Sequence, residues 1–196
     1  MATPQDLQDG DALLVVDMQE DFLPAGRLPV TEGDAIIPTI NRWIESAVEK
    51  GVPLYFSRDW HPPDHCSFKE QGGPWPVHCV RDEPGSDFAP ELNVHERGVI
   101  LDKGTTASRD AYSAFDETGL ADELRRQGVN RVWICGLAQD VCVRATAIDA
   151  RREGRDVHVL MDATRPATAE GGREAAADLT NHGVALDNAD AVGAVS

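Results

Sequence analysis

Short runs of apolar residues alternate with segments of helical periodicity along most of the chain. Residues 12–16 form a run rich in β-branched side chains that is too short for a helix, and they predict a buried strand. Apolar residues within 36–48 recur at helical spacing, and Gly51 follows them, which predicts a helix that ends at this glycine. Residues 52–56 predict the next strand.

The second half of the chain repeats this alternation more regularly. Strands are predicted at 98–101, 132–135, 157–161 and 184–186, and helices at 120–127, 141–153 and 170–179. Repeated strand–helix–strand units predict an α/β fold with three layers (α/β/α), in which helices cover both faces of a mainly parallel sheet of about six strands. No linker-like segment interrupts the pattern, so we expect one domain over residues 1–196. No Gly-x-Gly-x-x-Gly motif follows a predicted strand, so the sequence does not support a dinucleotide-binding fold.

The charge balance is strongly acidic, with 18 basic and 34 acidic residues and a net charge of −16. Such a surface repels nucleic acids and anionic membranes, so we expect neither as a partner. The polar start of the chain lacks the pattern of a secretory signal, and the apolar runs are too short to cross a bilayer. We therefore expect a cytoplasmic protein whose four cysteines, with no Cys-x-x-Cys pair, are thiols. The sequence is compatible with a homo-oligomer.

Reactive side chains follow four of the predicted strands. Asp17 comes directly after the first strand, Asp59 and His61 after the second, Lys103 after the third, and the turn leading to Cys142 after the fourth. The carboxyl ends of parallel strands meet at one edge of the sheet, which is where ligands bind in open α/β folds. We therefore expect an acid, metal-type ligands, an amine and a thiol to gather at one site.

Cys142 is the candidate nucleophile. Asp140 is predicted to cap the helix that begins there, which would place Cys142 in its first turn. Backbone N–H groups and the helix dipole at that position favour a thiolate and could hold an oxyanion. The alternative, a small core residue, suits Cys135 within its apolar strand better than Cys142.

Asp17 and Lys103 would complete a catalytic triad with Cys142. A nucleophilic thiol needs a base that takes its proton and later delivers it to the leaving amine, and the Asp17 carboxylate can do both. The ammonium of Lys103 would stabilise the thiolate and the carboxylate. Either residue alone is more often a helix cap or a solvated charge.

A metal site is predicted in the long segment 57–97, which is rich in proline and glycine. Asp59 and His61 lie two apart in an extended stretch, so their side chains point to one face, and His78 lies further along. One carboxylate and two imidazoles suit a divalent metal, Zn before Fe or Mn, and leave coordination positions free. His65 stays open as a further ligand.

The chain resembles the nicotinamidase branch of the isochorismatase-like hydrolases over nearly its whole length. The motifs that carry the resemblance lie at residues 16–22 (Val-Asp-Met-Gln-Glu-Asp-Phe), 58–62 (Arg-Asp-Trp-His-Pro), 75–80 (Trp-Pro-Val-His-Cys-Val), 103–105 (Lys-Gly-Thr), 110–115 (Asp-Ala-Tyr-Ser-Ala-Phe) and 136–143 (Gly-Leu-Ala-Gln-Asp-Val-Cys-Val). They occur in the order and with the spacing of the family.

This resemblance implies the triad Asp17, Lys103 and Cys142, and a metal on Asp59, His61 and His78 that orients the substrate through its pyridine nitrogen. It also implies a cis peptide bond before Ala138 and an oxyanion hole from the N–H groups of Ala138 and Cys142. The substrate ring would lie among apolar side chains, which are Phe22, Leu28, Trp75, Tyr112 and Leu137.

The activity that the resemblance implies is hydrolysis of nicotinamide to nicotinate and ammonia through a Cys142 thioester, a reaction of NAD salvage. One alternative is a related cysteine amidase that acts on another small amide or on a carbamoyl compound. A more remote alternative is a noncatalytic metal-binding or redox-sensing protein, which would need neither Lys103 nor Asp17.

Overall fold

The computed structural model describes residues 1–188, which form a parallel sheet with helices on both faces. Within this range there are six strands, β1 (Asp11–Val16), β2 (Leu54–Asp59), β3 (Val99–Lys103), β4 (Arg131–Leu137), β5 (Asp156–Arg165) and β6 (Ala185–Asp187). The strand order is β3-β2-β1-β4-β5-β6, and every neighbouring pair is parallel. The predicted α/β/α fold class is confirmed.

Strand β1 lies at the centre of the sheet between β2 and β4, and all six of its residues are buried. Burial on both faces explains why its sequence is a continuous apolar run instead of an alternating one. Side chains at alternate positions enter separate cores, with Leu13 and Val15 on one face and Leu14 and Val16 on the other.

Helix α1 (Ile37–Lys50) covers one face of the sheet. Ile40, Trp43 and Ile44 recur on its buried stripe and pack with Leu13 and Val15 of β1. The helix ends where predicted, because Gly51 takes a left-handed conformation with φ of 68° and its N–H caps the carbonyls of the last turn.

The opposite face of the sheet is covered by three helices, α2 (Leu120–Arg126), α3 (Arg144–Arg152) and α4 (Ala169–Asn181). Each helix contributes a residue to the core on this face: Leu124 from α2, Ala147 from α3 and Leu179 from α4. Among residues 1–188, no helix is long and apolar enough to span a membrane.

The strands differ from the prediction by one or two residues at their ends, and two of them, β2 and β5, differ by more. Strand β2 begins at Leu54 and continues to Asp59, and β5 continues to Arg165, four residues past the predicted end. In both strands the terminal part is polar, so it pairs through the backbone without an apolar pattern. In β5 the register against β4 also shifts between Ile134 and Gly136.

Candidate active site

The carboxyl ends of the three strands β1, β2 and β3 place three charged side chains side by side. Asp17 follows β1, and its N–H donates to the carbonyl of Ser57 at 3.1 Å. Asp59 and Lys103 are the last residues of β2 and β3 and are partners in the parallel register. The expected gathering of reactive residues at one sheet edge is therefore present.

Lys103 lies at the centre of this group and is almost completely buried. Its Nζ lies 2.9 Å from Oδ2 of Asp17 and 2.5 Å from Oδ1 of Asp59. Burial alone would lower the pKa of Lys103, but the two carboxylates raise it well above the ordinary value. Lys103 is therefore a permanent cation between two buried acids.

The two carboxyl groups differ although they share this cation. Burial raises the pKa of Asp17, against the opposing effects of Lys103 and of the Ser57 hydroxyl, which donates to Oδ1 at 2.7 Å. Burial acts on Asp59 in the same direction, but Lys103, His61 and His78 outweigh it and hold the pKa of Asp59 below the ordinary value. Asp17 is thus the stronger base of the pair, which suits a group that must accept a proton.

Cys142 completes the predicted triad, with its Sγ 3.5 Å from Nζ of Lys103. Burial raises the pKa of the Cys142 thiol well above its ordinary value, although Lys103 lowers it. The thiol is therefore protonated at rest and needs a base to remove its proton. Oδ2 of Asp17 lies 2.9 Å from Nζ of Lys103, and a carboxylate oxygen of Asp17 lies within 4.8 Å of the Cys142 sulfur.

The local structure around Cys142 differs from the prediction. Gln139–Val143 form a π-helical turn that precedes α3, so Cys142 does not lie in the first turn of an α-helix. Asp140 does not cap this turn, because its carboxylate accepts the N–H groups of Ala167 at 2.7 Å and Thr168 at 3.3 Å. The Leu137–Ala138 peptide bond is cis, as the resemblance implies.

Asp59, His61 and His78 form a compact group that fits a divalent metal. All three are buried, and ligand atoms from each lie within 4.8 Å of one another. Nδ1 of His61 lies 2.9 Å from the carbonyl of Gly104, and Nδ1 of His78 lies 2.7 Å from the carbonyl of Pro76. These carbonyls fix Nδ1 as the protonated nitrogen of each ring and leave both Nε2 lone pairs for a metal.

Asp59 links this group to the triad. Its Oδ2 lies 3.7 Å from Nε2 of His61 and 3.9 Å from Nε2 of His78, while Oδ1 contacts Lys103.

Gly104 leaves room for the His61 ring. A Cβ at this position would lie 2.4 Å from that ring, so a larger residue would displace it.

His65, which the sequence left open as a ligand, is not brought into the metal group. Its ring stacks on His61 with 4.1 Å between centroids. Nδ1 lies 2.7 Å from the hydroxyl of Ser67 and Nε2 lies 2.9 Å from the carbonyl of Arg109, so both nitrogens already have partners. His65 supports the ring of His61 instead.

One cavity joins the thiol to the candidate metal group. Its wall includes Cys142, Ala138 and the three potential ligands, together with four of the predicted ring-binding side chains, Phe22, Leu28, Trp75 and Tyr112. Nε1 of Trp75 donates to the Tyr112 hydroxyl at 3.0 Å, which fixes both aromatic groups, and burial raises the pKa of Tyr112 to about 12. A small aromatic amide matches a mainly apolar pocket with a few polar groups.

Leu137 is not among the residues that line this cavity, so its predicted contact with the substrate ring gains no support from the pocket and stays a prediction. It is the last residue of β4, and alternation along the strand places Leu137 with Trp133 and Cys135 in the core beneath α1. The pocket is lined by the next residue, Ala138, which lies beyond the strand.

Several wall residues were not predicted. Asp110, Ala111 and Val141 lie in motifs noted in the sequence, whereas Val30 and Ala167 have no local pattern that marks them. Gln19 lies outside the pocket wall, but it contacts the backbone of Asp59 and was also missed. Its position two residues after Asp17 was the available signal.

Comparison with known proteins assigns the family. The model of the Isochorismatase domain matches residues 11–190. The nicotinamidase of Escherichia coli is 35% identical over 175 residues, which cover 79% of this chain and 82% of that protein. The chain belongs to the isochorismatase family, in its nicotinamidase branch.

Two solved structures show the same architecture. The pyrazinamidase of Pyrococcus horikoshii, in complex with zinc, superposes with a TM-score of 0.88 at 47% identity, covering 90% of this chain and 98% of that one. A protein from L. infantum in complex with nicotinate gives a TM-score of 0.83 at 39% identity, covering 92% and 93%. The resemblance stated from the motifs is confirmed.

Proposed function

We propose that this protein hydrolyses nicotinamide to nicotinate and ammonia as a step of NAD salvage, with the whole chain 1–196 acting as one domain. The observation that carries the proposal is the single cavity whose wall includes both the Cys142 thiol and the Asp59, His61 and His78 group. A substrate in this cavity could present its carboxamide to the thiol and its ring nitrogen to a metal. Relatives named as nicotinamidases support this substrate.

The first half of the reaction acylates the thiol. Asp17 takes the Cys142 proton, and the sulfur attacks the carboxamide carbon to form the new S–C bond. The N–H groups of Ala138 and Cys142 stabilise the resulting oxyanion. Asp17 then gives the proton to the amide nitrogen, the C–N bond breaks, and ammonia leaves the nicotinoyl thioester.

The second half releases the acid. Asp17 takes a proton from a water molecule that attacks the thioester carbon, and the C–S bond breaks as nicotinate forms. The proton returns to the sulfur and restores the resting thiol. Lys103 keeps its charge throughout and stabilises each state in which Asp17 or Cys142 is anionic.

Asp59, His61 and His78 would hold the metal, which we propose is zinc, as in the P. horikoshii relative, with Fe or Mn as alternatives. When bound, the metal would supply a Lewis acid for the pyridine nitrogen and so orient the ring. Phe22, Leu28, Trp75 and Tyr112 exclude water from the ring and hold its plane.

The direct test is ammonia release from nicotinamide by the purified protein, compared with benzamide, which lacks the ring nitrogen, and with a carbamoyl amine. The proposal expects nicotinamide to give the highest kcat/KM. A preference for the carbamoyl compound would favour the related amidase activity instead. The cytoplasmic location and the lack of nucleic-acid and membrane partners stay predictions.

A further inference from the structure

The side-chain amide of Gln19 makes hydrogen bonds to the backbone of Asp59, a candidate metal ligand. Its Oε1 accepts the N–H of Asp59 at 2.8 Å, and its Nε2 donates to the carbonyl of the same residue at 2.8 Å. Nε2 also donates to the carbonyl of Ser86 at 2.9 Å. The Gln19 side chain is fully buried, and both its amide oxygen and its amide nitrogen make hydrogen bonds.

The sheet topology explains why Asp59 needs this partner. In a parallel strand the N–H and C=O of one residue point to the same neighbour, and alternate residues point to opposite neighbours. Ser57 accepts from Asp17 on the β1 side, whereas the N–H of Trp60 donates to Lys103 on the β3 side. Asp59 therefore points its backbone towards β1, but β1 ends at Val16, which pairs with Ser57.

The Gln19 amide fills the place that the next peptide group of β1 would take. One donor and one acceptor on a single planar group match the N–H and C=O of Asp59, as a strand neighbour would. Leaving these two buried backbone groups without partners would be costly. Asp59 can therefore keep the backbone geometry of a strand although β1, the strand beside it, has already ended.

We propose that Gln19 is a positioning residue for the metal site. The Asp59 carboxylate must direct Oδ1 at Lys103 and Oδ2 at the imidazoles of His61 and His78 at the same time. A small rotation of the Asp59 backbone would move Oδ2 away from the metal position. Gln19 prevents this rotation, so that its amide sets metal affinity and, through substrate orientation, KM.

The inference rests on the proposed function only in treating Asp59 as a metal ligand, and zinc affinity tests it without any substrate. Gln19→Met keeps the length of the side chain and removes all three hydrogen bonds. Gln19→Asn keeps an amide that is one methylene too short to reach Asp59. Zinc affinity is measured by competition with a chromophoric chelator, and the melting temperature is measured for each metal-free protein.

Asn41→Met is the matched control. The Asn41 amide makes the same kind of double contact with backbone, donating to the carbonyl of Glu91 at 2.8 Å and accepting the N–H of Asn93 at 2.9 Å. Asn41 lies outside the cavity that holds the candidate site. Asn41→Met would remove these two hydrogen bonds and lower stability, but it would leave the candidate metal group in place.

We expect both Gln19 variants to bind zinc at least about tenfold more weakly than the wild type, the range seen when groups that orient metal ligands are removed. Asn41→Met should bind zinc as the wild type does. At saturating zinc, the Gln19 variants should raise KM for nicotinamide more than they lower kcat.

Wild-type zinc affinity in a folded Gln19 variant would overturn the inference, as would an equal loss in Asn41→Met. If Gln19→Met does not fold, the same comparison with Gln19→Asn decides. A wild-type protein that binds zinc but releases no ammonia would overturn the proposed function alone.

Discussion

Nζ of Lys103 lies 2.5 Å from Oδ1 of Asp59, the carboxylate whose other oxygen faces the imidazoles of the candidate metal group. One residue, Asp59, therefore belongs both to the charged group around Lys103 and to the candidate metal ligands. The pairing follows from the sheet, because Asp59 and Lys103 end adjacent parallel strands in register. A change at either residue should affect both parts of the site.

Replacing Lys103 should cost stability as well as activity. Lys103→Met leaves Asp17 and Asp59 buried without their cation, so the free energy of unfolding should fall by about 3–5 kcal/mol, as for other broken buried ion pairs. Ammonia release should be abolished. Chemical denaturation and an ammonia assay measure the two effects.

Lys69→Met is the control for that variant, because Lys69 is exposed and its loss should change stability by less than about 0.5 kcal/mol. Equal stability of the two variants would contradict the account of Lys103 as the cation that neutralises the buried acids.

Removal of the metal should act mainly on substrate binding. A chelator-treated protein, shown by mass spectrometry to be metal-free, should keep its circular dichroism spectrum and show a strongly raised KM for nicotinamide. Addition of zinc, iron or manganese in separate samples should restore turnover and identify the metal that serves best. Undiminished kcat/KM without metal would rule out the proposed role of Asp59, His61 and His78.

The acid side of the pH profile should report the ionisation of Asp17. Burial raises the pKa of Asp17 above its ordinary value of 3.8, and a base acts only when it is ionised. Therefore kcat/KM should fall as the pH decreases through this raised pKa, with a midpoint above 3.8. Metal content measured at each pH serves as the control, and a decline that follows metal loss alone would not support Asp17 as the base.

The sequence predicted the fold, and it predicted that the reactive side chains after the strands meet at one edge of the sheet, because both depend on local patterns. A buried run marks each central strand, and Asp17 and Lys103 come at or just after strand ends, where parallel topology brings them together. The order of strands along the chain was then enough to place them on one edge.

Residues whose position depends on contacts between distant segments could not be predicted in this way. The resemblance assigned Leu137 to the substrate ring, but the face of the sheet that Leu137 occupies is set by the layer that α1 covers. Asp140 was expected to cap its own helix, and its partners at Ala167 and Thr168 are distant in sequence. The contact between Gln19 and Asp59 likewise depends on where β1 ends relative to β2.

The covalent role of Cys142 is the central claim, and Cys142→Ala tests it most directly. Ammonia release from nicotinamide and zinc content are measured for this variant, for Cys66→Ala as a matched thiol control, and for the wild type. Wild-type protein quenched in acid during turnover should also carry a nicotinoyl group on the Cys142 peptide. The account predicts no ammonia from Cys142→Ala at normal zinc content and near-normal release from Cys66→Ala, whereas retained turnover in Cys142→Ala would contradict it.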